Sequence, residues 1–154
     1  MLFLVFRLGK DRYAIEAHQV IEILHLVNVK QIPGAAAGIA GVFDYHGAPV
    51  PLIDLAELAV GEPSLKWMST RIILVEYGSG AGETHVLGLL AEQATETLRR
   101  KEEDFKDAGL AVTDTPYLGN VTTDAEGIVQ RIEIHNLLSE DVRKQLFPEQ
   151  KGSL

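Results

Sequence analysis

Five histidines are the residues of this chain best able to bind a metal or to transfer a proton near neutral pH. They are His18, His25, His46, His85 and His135 in a sequence of 154 residues. None of them forms an HxH, HExxH or HxxE pattern, and two imidazoles seven residues apart do not make a metal site by themselves. The sequence has no cysteine, which excludes thiolate ligands, thiol nucleophiles and disulfides. We therefore predict no metal site, no cofactor and no catalytic histidine.

Other arrangements with catalytic potential also fail on their spacing. No serine lies in a GxSxG setting, and no pair of carboxylates has a recognisable acid and base arrangement. The glycine cluster YGSGAGE at 77–83 follows a strand-like run, but no Gly-Lys-Ser/Thr follows it and Glu83 stands where a dinucleotide-binding loop requires glycine or alanine. We interpret this cluster as a hairpin loop and predict that the protein is not an enzyme.

The stretch GVFDYHGAPVPLIDL at 41–55 has the most unusual pattern in the chain. It has a turn at its centre with His46 near the tip, and both Pro49 and Pro51 lie on one arm. Because proline has no N–H to donate, this arm is expected to be an edge strand or a bulged strand. Asp54 lies in an apolar run, and a buried carboxylate without partners is costly, so it should accept hydrogen bonds from backbone or turn donors.

Short apolar runs separated by turn signals recur along the whole chain, as in LFLVFRL, VPLIDL, RIILVEY and GIVQRIEI. Many short strands at such spacing are typical of small β-barrels or a sandwich, so we predict an all-β fold with only short helical segments. A C-terminal helix is expected at about 139–147, where Ser139 can cap it and Pro148 can end it.

The two halves of the chain resemble each other. The matching pairs are LVF at 4–6 with LVE at 74–76, YAIEAHQVIEIL at 13–24 with LGLLAEQATETL at 87–98, and VPLIDLAEL at 50–58 with VQRIEIHNL at 129–137. The offset grows from 70 to 74 to 79, as loop insertions in a duplicated unit would produce. We predict one domain over 1–148 with two similar subdomains, at about 1–62 and 70–138, and a disordered tail at 149–154. Units of about 70 residues are small to be stable alone, so the two should share a core.

The stretch IPGAAAGIAGVFDYHGAPVPLIDLAEL at 32–58 resembles the signature of CheW-like domains of bacterial chemosensory systems. That signature runs isoleucine-proline, a short spacer, Ile-x-Gly-Val-hydrophobic-Asn-hydrophobic-Arg-Gly, and then a strand close to VPVIDL. The residues that fall on it are Ile32, Pro33, Ile39, Gly41, Val42, Gly47, Pro51, Ile53, Asp54 and Leu55. The opening strands and the closing YLGNVTTDAEGIVQRIEIHNLL also resemble the family, which extends the similarity to about residues 2–147.

The resemblance implies a fold of two five-stranded β-barrel subdomains of similar topology with a common hydrophobic core. It also implies a non-catalytic, cytoplasmic adaptor. The partners implied are the regulatory domain of a CheA-type histidine kinase and the cytoplasmic tip of a methyl-accepting chemoreceptor.

The candidate site residues follow from the resemblance and the strand pattern. The predicted receptor-binding residues are Val42, Phe43, Tyr45 and His46, and the predicted kinase-binding residues are Val29, Gln31 and Ile32. Alternation along a strand means that only one of Val42 and Phe43 can face outward. Structural roles are predicted for Gly41, Gly47, Pro51, Asp54 and Glu133, the last being the counterpart of Asp54 in the second half.

Two residues of the hairpin depart from the family signature. Asp44 replaces the asparagine and His46 replaces the arginine. Arginine offers five donors and a permanent charge, whereas histidine offers at most two donors and is mostly neutral at pH 7. A receptor carboxylate facing this position would be held more weakly, which indicates a divergent adaptor of an alternative chemosensory pathway with its own receptor.

Composition is consistent with a protein-binding role and leaves two alternatives open. The formal net charge of −8 opposes nucleic acid and anionic lipid, and no apolar run approaches the roughly 20 residues of a membrane span, so we predict neither nucleic-acid binding nor membrane insertion. One alternative is a small-ligand-binding or enzymatic barrel with a pocket between the subdomains. The other is a CheW-like module that has lost receptor binding and only regulates a kinase.

Overall fold

The computed structural model describes residues 1–64, 69–78, 84–109 and 115–148. Within them lie the strands β1 (Leu2–Leu8), β2 (Asp11–Glu16), β3 (Val20–His25), β4 (Ile39–Tyr45), β5 (Ala48–Asp54), β6 (Thr70–Gly78), β7 (Thr84–Arg99), β8 (Leu118–Asp124) and β9 (Gly127–Ile132). The helices are α1 (Leu55–Val60) and α2 (Glu140–Leu146), with short 3-10 helices at Ala17–Gln19, Glu102–Asp104 and Ile134–Asn136. The predicted all-β fold with short helical segments and a C-terminal helix is confirmed. Residues 79–83 of the hairpin loop predicted at 77–83 and the predicted tail at 149–154 lie outside the described residues, whereas Tyr77 and Gly78 end β6.

The long strand β7 belongs to two groups of strands. Its first part pairs with β6, its last part pairs with β1, and Glu92 is the crossing point because it pairs with Thr70 on one side and with Arg7 on the other. The first strand group has the order β3-β6-β7-β5-β4, and the second has the order β7-β1-β2-β9-β8. Each group therefore contains five strands, as the resemblance implies, although the described chain has nine because β7 is shared.

An isolated antiparallel bridge joins the two ends of each group. Lys30, downstream of β3, exchanges hydrogen bonds of 2.8 and 2.9 Å with Val42 on β4. Lys106, downstream of β7, exchanges two of 2.8 Å with Val121 on β8. The two bridges occupy corresponding places, so the topology of the two groups repeats as the sequence halves predict.

The strand groups draw on both halves of the chain. From the predicted first subdomain at 1–62, β2 pairs with β9 and β1 pairs with the end of β7, whereas β6 from the predicted 70–138 subdomain pairs with β3. The parallel pairs β2 with β9 and β5 with β7 connect segments far apart in sequence. The contiguous boundaries therefore differ from the observed groups, because periodicity marks strands without indicating their partners.

The core lies mainly between the two strand groups. Its fully buried members include Phe6, Ile15, Ile73 and Leu89 from the strands of both groups. A smaller cluster around Phe43 fills the first group, and another around Phe3 fills the second. The predicted shared core is therefore present, and it positions the β4–β5 hairpin by burying the ends of both of its strands.

Two buried arginines crosslink the second strand group. The guanidinium of Arg12 donates to both carboxylate oxygens of Asp124 at 2.7 and 2.9 Å and to Glu96 at 3.2 Å. Arg131 pairs with Glu16 and Glu102, and its guanidinium lies 5.3 Å from the ring centre of Phe3. The hydrogen bonds from Arg12 are the main reason that the pKa of Asp124 falls from its ordinary 3.8 to about 2.

The Asp124 pKa predicts a pH-dependent contribution to stability. Because the folded-state pKa lies below the unfolded value, the contribution is present above about pH 4 and is lost as the pH falls toward 2. Allowing for solvent screening, we expect Asp124→Asn to lower the free energy of unfolding by about 1–2 kcal/mol at pH 7. The difference in the free energy of unfolding between variant and wild type should shrink toward pH 2, as measured by urea unfolding at several pH values.

The control is Glu103→Gln, which alters the exposed pair with Lys101 at 3.9 Å and should change the free energy of unfolding little. A deficit for Asp124→Asn that stays constant down to pH 2 would contradict this account.

Candidate partner-binding surface

The β4–β5 hairpin ends in a two-residue turn that presents His46 to solvent. Tyr45 pairs with Ala48, and both His46 and Gly47 between them have positive φ angles, of 51° and 88°. This is the pattern of a type I′ turn, in which glycine is favoured and histidine, like asparagine and aspartate, is among the other residues that adopt a positive φ most readily. Asp44 accepts a 2.9 Å hydrogen bond from the Gly47 N–H through Oδ1, an arrangement that an asparagine oxygen would also provide. The imidazole therefore projects from a turn of defined geometry.

Tyr45 ties the hairpin tip to β3. Its hydroxyl donates a 2.6 Å hydrogen bond to Glu22 Oε2, and its ring centre lies 4.4 Å from that of His46 in an edge-on arrangement. The hydrogen bond to Glu22 is the main cause of the raised pKa of Tyr45. The side chains of residues 22, 45 and 46 thus form one connected cluster on the surface.

Val42 and Phe43 face opposite sides of β4. Phe43 is 3% exposed and packs with Val50, Leu52 and Ile72, whereas Val42 is only partly buried. Phe43 has almost no surface to offer a partner, so its place among the predicted receptor contacts is corrected to a core position. The reason is the two-residue alternation of a strand whose inner face packs into the buried cluster of the first strand group.

The strand that carries both prolines, β5, lies at a sheet edge along its first half only. Residues 48–51 of β5 pair with β4 alone, and from Leu52 onward β5 also pairs in parallel with β7. Pro49 and Pro51 lie opposite Asp44 and Val42 on β4, in the half that β7 does not cover. The predicted edge is therefore present where the prolines stand.

An open groove runs along this free edge. It has a volume of about 540 Å³ and is lined by Ile32, Val42, Tyr45, Pro49, Pro51 and, from the end of α2, Phe147, among others. A neighbouring depression of about 550 Å³ is lined by Val29, Lys30, Val42 and Pro49, among others. The predicted kinase contact Ile32 and the predicted receptor contacts Val42 and Tyr45 are thus brought together, and Val42 borders both depressions.

Exposed apolar side chains concentrate in the 21–32 segment, whose last residue, Ile32, lines this groove. Of the nine large apolar side chains that are exposed in the described residues, five lie in the 21–32 segment: Ile21, Ile23, Leu26, Val27 and Ile32. Gln31 is also exposed, and Val29 is partly buried. β3 has a hydrogen-bonded neighbour on one side only, so Ile21 and Ile23 stand at a sheet edge. Such a concentration is typical of a protein-interaction surface.

Sequence reasoning missed several members of this surface. Ile21, Ile23, Leu26 and Val27 belong to the apolar run VIEILHLV, whose continuation past the strand end was the available signal. Phe147 stacks on His85 with ring centres 4.1 Å apart, and no local pattern indicates that contact. The end of α2 therefore forms one wall of the groove.

Asp54 organises the residues that follow the hairpin. It is 4% exposed and caps α1 by accepting hydrogen bonds from the N–H groups of Ala56 and Glu57 at 3.1 and 3.3 Å. Ser64 donates to it twice, from N–H at 2.9 Å and from Oγ at 2.6 Å. The expected hydrogen bonds to backbone and turn donors are present.

Glu133 occupies the corresponding place in the second strand group but has different contacts. It precedes the 3-10 helix Ile134–Asn136 without accepting a capping hydrogen bond. Its carboxylate lies 3.4 Å from Arg131 Nε and 3.9 Å from His135 Nδ1. Its position therefore matches Asp54, whereas its bonding differs.

The described residues contain no group of three or more His, Asp or Glu side chains arranged to hold a metal ion. A small cavity of about 120 Å³ near α2, bordered by Ile39, Leu58, Tyr117 and Val142, has no carboxylate, amine or imidazole in its lining. No helix in the described part of the chain has the length and apolar character to cross a bilayer.

The fold and this surface define the class of protein, which is a β-rich binding protein whose exposed apolar edge adjoins an open groove. The model of the CheW-like domain family matches residues 2–142, and the chain therefore belongs to that family. It is 28% identical to the chemotaxis protein CheW of Klebsiella aerogenes over 141 residues, covering 90% of this chain and 82% of that protein. The chemotaxis protein CheW of Helicobacter pylori is 24% identical with the same coverage.

A solved structure confirms the similarity of fold. The scaffolding protein TtCheW from Thermoanaerobacter tengcongensis superimposes with a TM-score of 0.78 at 23% identity, covering 92% of this chain and 89% of that one. At this identity the likeness concerns the fold.

Proposed function

We propose that this chain is a non-catalytic adaptor that couples a chemoreceptor to a CheA-type histidine kinase in a bacterial chemosensory system, acting in the cytoplasm. The observation that carries the proposal is membership of the CheW-like family over residues 2–142, almost the whole chain. The exposed apolar edge at 21–32 supports it, because an adaptor must offer apolar area to protein partners. The small-ligand alternative is not favoured, since the cavity near α2 lacks charged groups to orient a substrate.

The two partners are assigned to neighbouring parts of the surface. We assign the kinase to Val29, Gln31 and Ile32 and the receptor to the hairpin residues Val42, Tyr45 and His46. The bridge between Lys30 and Val42 makes the two parts adjoin. Adjoining surfaces would let the adaptor bring both partners together within one small domain.

His46 is the residue through which this adaptor would select its receptor. It is exposed at the turn tip, where the family signature has arginine. A histidine there favours a partner that presents a hydrogen-bond acceptor, because one ring N–H remains a donor when the imidazole is neutral. This supports a divergent adaptor with a dedicated receptor.

The assignment of Ile32 predicts that a charge there weakens kinase binding. Ile32→Asp would bury an unpaired carboxylate against the kinase, so we expect at least a tenfold loss of affinity, equivalent to about 1.4 kcal/mol. Binding should be measured by calorimetry with the purified regulatory domain of the kinase encoded nearby and with a receptor-tip fragment. Ile128→Asp, at a side chain 64% exposed in the second strand group, is the matched control and should bind as wild type does.

The same measurements can contradict the proposal. Absence of wild-type binding to any CheA-type regulatory domain would reject the adaptor function. Loss of both partners in Ile32→Asp would instead show that kinase and receptor use one groove, and the separate assignment would be wrong.

A further inference from the structure

Glu22 lies outside the signature stretch at 32–58, yet its side chain contacts the hairpin tip. It is an exposed residue on the edge strand β3, 23 residues before Tyr45. The 2.6 Å hydrogen bond from the Tyr45 hydroxyl to Glu22 Oε2 spans the gap between this strand and the tip. Hydrogen bonds to a carboxylate are shorter and stronger than neutral ones, so this contact restricts the Tyr45 side chain even at the surface.

The Tyr45 ring in turn restricts His46. The two ring centres are 4.4 Å apart at 66°, an edge-on contact that aromatic pairs favour. The backbone of His46 is held by the turn, with φ of 51°, so the remaining freedom lies in its side-chain torsions. A Tyr45 ring fixed by Glu22 therefore leaves the imidazole fewer orientations than it would have on a free tip.

We propose that Glu22 is a positioning residue for receptor recognition, which holds the Tyr45 ring and through it orients the His46 imidazole toward a hydrogen-bond acceptor on the receptor. The inference rests on the proposed adaptor function and adds a residue to it. Preorganisation raises affinity because the side-chain entropy is lost before binding instead of during it.

The raised pKa of Tyr45 is consistent with this arrangement. The hydrogen bond to Glu22 is its largest cause, followed by desolvation and the charge of Glu22. The phenol thus stays protonated, and remains a donor to Glu22, throughout the neutral range.

The test uses the intact protein with three single variants and one double variant. Glu22→Ala removes the acceptor, Tyr45→Phe removes the donor but keeps the ring, and Glu22→Gln keeps an acceptor oxygen at the same length. We expect Glu22→Ala and Tyr45→Phe each to weaken binding of the receptor-tip fragment about 5- to 10-fold. The double variant Glu22→Ala with Tyr45→Phe should bind the receptor tip no more weakly than either of these single variants, since each of them removes the same interaction. Glu22→Gln should lose about 2-fold or less, and kinase affinity should not change.

A second readout separates positioning from a general effect on the fold. The ring-proton NMR shifts of His46 should move in Glu22→Ala and Tyr45→Phe and stay close to wild type in Glu22→Gln, because they report the aromatic contact directly. The thermal midpoint should change by no more than about 2 °C, as is usual for surface substitutions of this size.

Three outcomes overturn the inference, and they are distinguishable. If wild type binds the receptor tip and Glu22→Ala binds equally well, the positioning role is rejected while the adaptor function stands. Additive losses in the double variant would mean that Glu22 and Tyr45 act separately. If wild type binds the kinase domain but no receptor tip, the proposed receptor role fails and the inference fails with it.

Discussion

Replacing Gly41 with alanine is expected to lower the free energy of unfolding by about 3–5 kcal/mol, enough to unfold much of the first strand group. Gly41 has a φ of +146°, and a Cβ atom there would lie 2.2 Å from the carbonyl oxygen of Lys30 and 2.7 Å from Val29 Cγ1. That carbonyl accepts the 2.9 Å hydrogen bond from Val42, so it cannot move aside without breaking the bridge that joins β4 to the segment after β3.

The control for Gly41→Ala is a glycine that also has a positive φ but has free space around it. Gly34 has a φ of +77°, and a Cβ atom added to it would have nothing within 4 Å, so Gly34→Ala should cost only the backbone strain, about 1 kcal/mol. Urea unfolding followed by circular dichroism measures both variants. Equal losses at the two positions would contradict the steric account of Gly41.

The second large effect is expected at Asp54, where Asp54→Ala should lower the free energy of unfolding by about 2–4 kcal/mol. The change removes one carboxylate that accepts hydrogen bonds from Ala56, Glu57 and both donors of Ser64. Loss of a helix cap alone costs about 0.5–2 kcal/mol, and the buried N–H groups left without an acceptor add to it.

Two further variants test which hydrogen bonds matter at Asp54. Ser64→Ala removes only the hydroxyl donor and should cost about 1 kcal/mol. Glu133→Ala, at the corresponding place of the second strand group, should cost less than Asp54→Ala because Arg131 keeps Glu16 and Glu102 as partners. Thermal and urea unfolding measure all three. A larger loss at Glu133 than at Asp54 would contradict the different roles assigned to them.

The strand β7 joins the two strand groups to each other. One strand carries hydrogen bonds of both groups, and Glu92 pairs with β6 on one side and with β1 on the other. The shared core adds side chains from both groups on the same interface. Surfaces on the two groups are therefore held in a fixed relation to each other.

The hairpin shows how a family scaffold can be adapted at its tip. Gly41, Gly47 and Asp54 fall on the family signature, and each has a backbone or capping reason to be there. Asp44 and His46 depart from the signature on the exposed side of the same hairpin. Substitutions can thus accumulate at the tip without disturbing the residues that hold the hairpin in the fold.

Local sequence was sufficient for the features that depend on neighbouring residues. The strand pattern, the Ser139-capped helix, the turn with His46 near its tip and the hydrogen bonds accepted by Asp54 all follow from residue type and short spacing. The alternation of Val42 and Phe43 was predicted as well, but not which of them faces inward. That choice required knowing on which side of β4 the core lies.

The amino-acid sequence by itself determined that this protein is an all-β chain with an internal repeat, a hairpin with two prolines on one arm, and a family resemblance. These properties depend on patterns of a few neighbouring residues. Only the tertiary structure decided that β2 pairs with β9, that β7 serves both groups, and that Glu22 reaches Tyr45. It also decided that Phe147 joins the groove and that Phe43 leaves the surface. These contacts join segments distant in the chain, and they are selected by the packing of the whole core, which no local periodicity records.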